Sequence, residues 1–295
     1  MAPGRSRLTV TSPDGTQVAV YRWDPPGRPR AAIQLTHGMG EHARRYEHVA
    51  QAFNGAGYVV YAQDHRGHGA TARAGSHALG DLGPGGWTAL VDDIGAVAAQ
   101  SRADWPDLPT ILLGHSMGSF AVQQYILDHS ADAAGVVLTG TAVIDLLEPA
   151  LDLDQPMDLA AFNAAFEPAR TDFDWLSRDE DVVDAYVADP LCGFGIDTSA
   201  AKGMFAGARR LADAAQVAAI RSDLPVYIAV GDADPVNGGG ALLTPLADRL
   251  RAAGLSDVTV VSYPGGRHEI LNETNRDEVL AALIAWADRV VGATP

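Results

Sequence analysis

The chain has 295 residues and carries 37 Asp and Glu against 21 Lys and Arg, a formal charge of −16. A hydrophobic share of 47% with 20% charged residues suits a packed core and excludes disorder over the whole chain. Without a basic excess the chain is a poor candidate for nucleic-acid binding, and one cysteine, Cys192, excludes an internal disulfide and any cysteine-rich metal site.

The chain opens on Met1–Leu8, where no apolar run follows the basic residues, so no signal peptide is expected. Arg7–Thr11 and Gln17–Trp23 read as an antiparallel hairpin, joined by the turn cluster Ser12-Pro13-Asp14-Gly15-Thr16. After a Pro/Gly-rich loop, short apolar runs begin to alternate with helical spacing. Ala31–Thr36, Tyr58–Ala62, Thr110–Leu113 and Gly135–Thr139 read as strands, and Glu41–Ala56, Trp87–Ala99 and Met117–Leu127 as helices. The pattern resumes with strand Pro225–Val230, helix Ala241–Ala253, strand Asp257–Ser262 and helix Glu273–Val291. Such alternation implies βαβ units and a mostly parallel sheet of eight strands, covered by helices on both faces. The most apolar stretch, Ala133–Leu147, is broken by Gly, Thr and Asp and is too short to span a bilayer. No integral membrane segment is expected, and the expected compartment is the cytoplasm.

Alternation stops between Thr141 and about Arg221. From Asp152 to Asp189 eleven acidic residues face only Arg170 and Arg178. An insertion here reads as a cap over the carboxyl ends of the strands, where open α/β sheets bind ligands. The expected organisation is therefore one core, residues 1–140 and 222–295, interrupted by a cap at 141–221. Within the cap, Met157, Phe162, Phe166, Phe173 and Trp175 form an apolar series. They read either as the cap's own core or as a wall of an acyl pocket, and the four aromatics are candidate substrate-binding residues.

Gly114-His115-Ser116-Met117-Gly118 is a G-x-S-x-G between a strand and a helix, the setting of a nucleophile elbow. A serine hydroxyl needs an adjacent base. His268 is the histidine that follows Ser116 outside its helix, in the glycine-bearing loop after Asp257–Ser262. The acid belongs after Pro225–Val230, where Asp232 and Asp234 both qualify by position. The oxyanion of an acyl-transfer intermediate requires backbone N–H donors, and these fall to Met117 and to Met39 in the loop His37-Gly38-Met39-Gly40. His65, Arg66 and His68 form a polar cluster without the ligand spacing of a metal site, so no metal is expected. Neither Gly83-Pro84-Gly85-Gly86 nor Gly238-Gly239-Gly240 has a phosphate-loop pattern, so no cofactor is expected.

Ser116…Asp234…His268, with His37-Gly-Met-Gly-Glu-His42, Arg45-Tyr46, Asp64-His65-Arg66-Gly67-His68-Gly69 and Gly-His-Ser-Met-Gly, resembles the monoglyceride lipase and lysophospholipase branch of the α/β-hydrolases, also described as serine-aminopeptidase-like. The likeness runs from about Gln17 to Val291. It implies the α/β-hydrolase fold with a helical cap, a serine hydrolase of carboxylic esters working through an acyl-enzyme, and a catalytic set of Ser116, His268 and Asp234, with Met39 and Met117 as oxyanion donors. It gives the His65–His68 cluster a structural role near the site entrance. One departure is Ser119, where this branch usually carries a second glycine after Gly118. The implied partner is a small, neutral acyl ester, with at most weak peripheral lipid contact through the cap. An aminopeptidase or amidase, with the acidic cap holding an ammonium group, is the alternative; a non-catalytic binding protein on a hydrolase scaffold is a remote one. Dehalogenase and epoxide hydrolase chemistry is disfavoured, because those relatives use Asp where this chain has Ser116.

Overall fold

A computed structural model describes residues 4–75 and 77–292; the first three residues of Met1–Leu8 lie outside them. Eight strands form one sheet: β1 Arg5–Thr11, β2 Gln17–Trp23, β3 Ala31–Thr36, β4 Tyr58–Gln63, β5 Thr110–His115, β6 Gly135–Thr139, β7 Val226–Gly231 and β8 Val258–Tyr263. Their order is β1-β2-β4-β3-β5-β6-β7-β8. The β1–β2 and β2–β4 pairs are antiparallel and the rest parallel. β3 to β7 are buried along their whole length, which is why they read as continuous apolar runs rather than alternating ones.

The helices are α1 Glu47–Gly55, α2 Gly69–Gly75, α3 Gly86–Asp104, α4 Met117–His129, α5 Glu180–Ala188, α6 Thr198–Arg210, α7 Ala214–Val217, α8 Leu243–Ala252 and α9 Arg276–Gly292. Successive strand residues point to opposite faces, so β5 gives Ile111 and Leu113 to one core and Leu112 to the other. The first core gathers Val49 and Phe53 of α1 with Leu283 and Trp286 of α9. The second gathers Leu90 and Ile94 of α3, Ala121 and Ile126 of α4 and Leu246 of α8, and runs on without a break into Trp175, Met204 and Phe205 from the segment between β6 and β7. That segment contains short 3-10 turns, among them Leu159–Phe166 and Asp174–Leu176, followed by α5, α6 and α7. Phe162 and Phe166 both lie on the 3-10 turn Leu159–Phe166.

Candidate active site

Ser116 sits between β5 and α4 with φ 51° and is the one non-glycine residue with positive φ among the described residues. A β-carbon in that region costs about 1–3 kcal/mol and persists only where its surroundings impose it. They do so here through bonding and close approach. The Ser116 N–H donates to the Thr139 carbonyl at 2.9 Å. Gly118 lies so close to β3 that a β-carbon there would collide with the Thr36 and His37 carbonyl oxygens. Ser119, the departure from the glycine pattern, is accommodated by bonding: its hydroxyl donates to the Ser116 carbonyl at 2.6 Å and lies 2.8 Å from Thr141 Oγ1.

His268 Nε2 lies 2.8 Å from Ser116 Oγ. Its Nδ1 lies 3.0 and 2.9 Å from the two carboxylate oxygens of Asp234. Nδ1–H donation to the carboxylate leaves Nε2 free to accept the serine proton. Burial opposes the charged imidazole, but Asp234, with Glu269 and Glu41 beyond it, outweighs this and raises the pKa of His268 above its ordinary value. Between the two acids left open by position, the structure brings Asp234 to the imidazole. Asp234 is fully buried and also accepts the Val236 N–H at 2.8 Å. Asp232 is exposed and accepts the Gly265 N–H at 2.7 Å, so it holds the turn of the His268 loop.

Met39 and Met117 line the same cavity as Ser116, and neither N–H has an acceptor among the described residues. The cavity, about 50 Å³, is walled by Met157, Leu159, Phe162, Trp175, Leu176 and Tyr186 from the segment between β6 and β7. Of the four candidate aromatics, two reach it. Trp175 packs on the His268 ring at 4.8 Å and on Phe162 at 5.0 Å. Phe166 instead lies under the Arg267 guanidinium at 4.4 Å, and Phe173 packs on Tyr186 at 5.1 Å; neither lines the cavity. The Trp175 and Leu176 carbonyls accept the N–H groups of His268 and Glu269 at 3.3 and 2.8 Å.

Three residues to which sequence reasoning gives no role complete the surroundings. Arg45 Nη1 bonds Glu41 at 2.7 Å and Glu269 at 2.5 Å, and its Nη2 bonds Glu269 at 2.8 Å. Glu41 in turn accepts the Gly38 N–H at 2.6 Å and the Tyr46 hydroxyl at 2.7 Å. The triplet thus ties the loop carrying Met39 to the loop carrying His268. The motif His37–Tyr46 singles out Glu41 and Arg45, but nothing local marks Glu269.

The His65–His68 cluster lies beneath the Met39 loop, with no part in lining the cavity. His37 packs on His65 and His68 at 4.4 and 5.3 Å, and His68 Nε2 accepts the Gly40 N–H at 3.3 Å. Burial pushes His65 down to about 3 and His68 to about 4. Arg66 bonds Asp93 and Asp14, pinning the β1–β2 turn to α3.

The acidic residues of 152–189 do not line the cavity. Several are engaged elsewhere: Asp184 with Arg170, Asp179 with Arg276, Asp154 with Lys202, and Asp189 with His42.

Fold and elbow together define an α/β-hydrolase. The chain belongs to the family described as serine aminopeptidase, S33, whose pattern matches residues 27–275. It is 34% identical to a monoacylglycerol lipase of Mycolicibacterium smegmatis, with 96% of each chain covered. It is 29% identical to a Homo sapiens monoglyceride lipase over 90% of this chain and 84% of that one. Among solved structures, a thermostable carboxyl esterase from Bacillus coagulans, in complex with glycerol, superposes with TM-score 0.85 at 29% identity, covering 98% of this chain and 99% of that one. The monoglyceride lipase-like resemblance is borne out by these relatives. No helix among the described residues is long and apolar enough to cross a membrane.

Proposed function

We propose that the protein hydrolyses uncharged carboxylic esters, with monoacylglycerols as the leading substrate class, through an acyl-enzyme on Ser116. The observation that carries this is the continuous relay Ser116 Oγ–His268–Asp234, opening into a cavity with apolar walls. His268 takes the serine proton as Oγ attacks the carbonyl carbon, and returns it to the departing alkoxide. Asp234 orients the ring and stabilises the imidazolium. The N–H groups of Met39 and Met117 receive the oxyanion. Water, activated by His268, then attacks the acyl-enzyme; the fatty acid leaves and Ser116 regains its proton. Relatives named as monoacylglycerol and monoglyceride lipases, and a similar esterase holding glycerol, support this substrate class.

Residues 141–221 act as the cap in this reading. Ligand pockets usually measure about 300–1,000 Å³, so a cavity of about 50 Å³ admits an acyl chain only when the wall Met157–Phe162 moves outward. Leu146, Leu151 and Val187 of the cap are exposed, which suits weak contact with a lipid surface. An aminopeptidase would need a free carboxylate for the substrate ammonium. The carboxylates that reach the cavity, Glu41 and Glu269, are both held by Arg45.

The test pairs a fluorophosphonate label with a turnover panel of monoacylglycerols, lysophospholipids, short p-nitrophenyl esters and aminoacyl-arylamides. Stoichiometric labelling, lost in Ser116→Ala, with turnover of the neutral esters is expected. Ester hydrolysis undiminished in Ser116→Ala refutes the assignment.

A further inference from the structure

In a chain with a formal charge of −16, cations without a carboxylate partner are few, and where they gather is informative. Among the described residues every Lys and Arg side chain pairs with a carboxylate except Arg7, Arg28, Arg44, Arg73 and Arg267. Arg267 bonds the Asp174 and Ser177 carbonyls, and Arg28 lies on the β2–β3 loop. The other three are exposed and line one cleft of about 740 Å³. Arg7 comes from β1, Arg44 from the turn before α1 and Arg73 from α2.

Two aspartates also reach the cleft, and both are already engaged. Asp64 is buried and accepts the Ala43 and Ala70 N–H groups at 2.9 and 2.7 Å. Asp189 bonds His42 at 3.0 Å and the Leu191 N–H at 2.8 Å. Arg45 lines the back of the cleft with its charge committed to Glu41 and Glu269. Three guanidinium groups, none in a salt bridge among the described residues, therefore share one concavity with two aspartates whose oxygens are already bonded. Like charges lining one concavity repel, and its low-dielectric walls focus their potential on an anion that enters. Planar guanidinium forks match the oxygens of a phosphate, each able to donate two bonds.

We propose that this cleft binds a phosphate group, carried on a small organic phosphate or on a lipid headgroup, at a site separate from the catalytic cavity. None of Arg7, Arg44 and Arg73 lines the cavity at Ser116; Arg45, Glu41 and Glu269 lie between the two. The site gives a strongly acidic molecule one face on which an anion is accepted.

Calorimetric titration of the full chain with glycerol 3-phosphate and with inorganic phosphate, at low salt and against sodium chloride of equal ionic strength, tests it. Cosedimentation with phosphatidylcholine vesicles, with and without phosphatidylglycerol, is the second arm. Saturable 1:1 binding is expected in one arm. Each of Arg7→Ser, Arg44→Ser and Arg73→Ser weakens it about tenfold, the scale of one charge-assisted hydrogen bond. The triple variant loses it, with an unchanged melting curve and unchanged hydrolysis of a neutral ester. Loss confined to soluble phosphates assigns a small-molecule ligand; loss confined to anionic vesicles assigns a headgroup. No saturable binding in either arm, an equal response to chloride, or binding undiminished in the triple variant overturns the proposal.

Discussion

Replacing Arg45 with Met keeps a side chain of similar length but removes the cation between two carboxylates that are only 2% and 3% exposed. A buried carboxylate stripped of its partner costs about 3–5 kcal/mol. Proton linkage gives the same scale. Burial alone pushes Glu269 up, yet Arg45 outweighs it and holds the group at about 2, below its ordinary 4.5. At about 1.4 kcal/mol per pKa unit, this depression contributes roughly 3 kcal/mol at neutral pH. In Glu41 burial prevails and the pKa is raised, with Arg45 pulling against it, so losing Arg45 raises it further. A folded-state pKa below the unfolded one stabilises above about 4.5, and that stabilisation is lost as pH falls toward 2. In Arg45→Met both carboxylates are costly when charged and tolerated when protonated. Urea unfolding should therefore show a stability gap between the two proteins of about 3 kcal/mol or more at pH 8, narrowing at pH 5. Arg45 also pushes His48 and His115 down, so its loss relieves them and narrows the gap in the same direction as pH falls. A gap under about 1 kcal/mol at pH 8, or one of equal size at both pH values, refutes the reasoning.

Three further outcomes follow from the geometry. Asp234→Asn should lower kcat by about 10⁴-fold, because an amide supports the wrong tautomer and does not stabilise the imidazolium; a loss under tenfold in steady-state assays of the folded variant removes Asp234 from the relay. Gly118→Ala drives a β-carbon into the Thr36 and His37 carbonyls, so it should cost about 1–3 kcal/mol in urea unfolding and slow fluorophosphonate labelling; wild-type values for both contradict the packing described. His65 at about 3 and His68 at about 4 lie below their ordinary 6.5. Folded values below unfolded ones mean stability is lost as pH falls from about 6.5 toward 4, by roughly 2 kcal/mol per group at pH 5. His268, raised instead, offsets part of this. An unchanged urea midpoint between pH 7.5 and pH 5 would count against the buried neutral histidines.

The sheet is legible because its inner strands β3 to β7 are buried along their whole length and read as unbroken apolar runs, while β8 at the edge is only partly buried. α2 is not, since Gly69–Gly75 is built of Gly, Ala, Thr and Arg without apolar spacing. The elbow at Ser116 announces itself locally, in five residues whose small flanks the turn demands. Asp232 and Asp234 are two positions apart and alike in chemistry; only burial and the reach of His268 separate them. Arg45 and Glu269 are 224 residues apart, and no local pattern signals an ion pair of that span. The aromatics between β6 and β7 are ambiguous for a similar reason: a 3-10 turn breaks the periodicity that would tell Phe162 from Phe166.

The cavity's two walls from the segment between β6 and β7 differ in what they are fastened to. Trp175 and Leu176 share backbone hydrogen bonds with His268 and Glu269, so any remodelling there is felt by the imidazole. Met157 to Phe162 has no hydrogen bond to that loop among the described residues. Substrate preference can therefore drift on one side of the site while proton transfer stays fixed on the other. Variants selected for a new acyl chain should accumulate at 157–162, and changes at Trp175 should come with a loss of turnover on every ester.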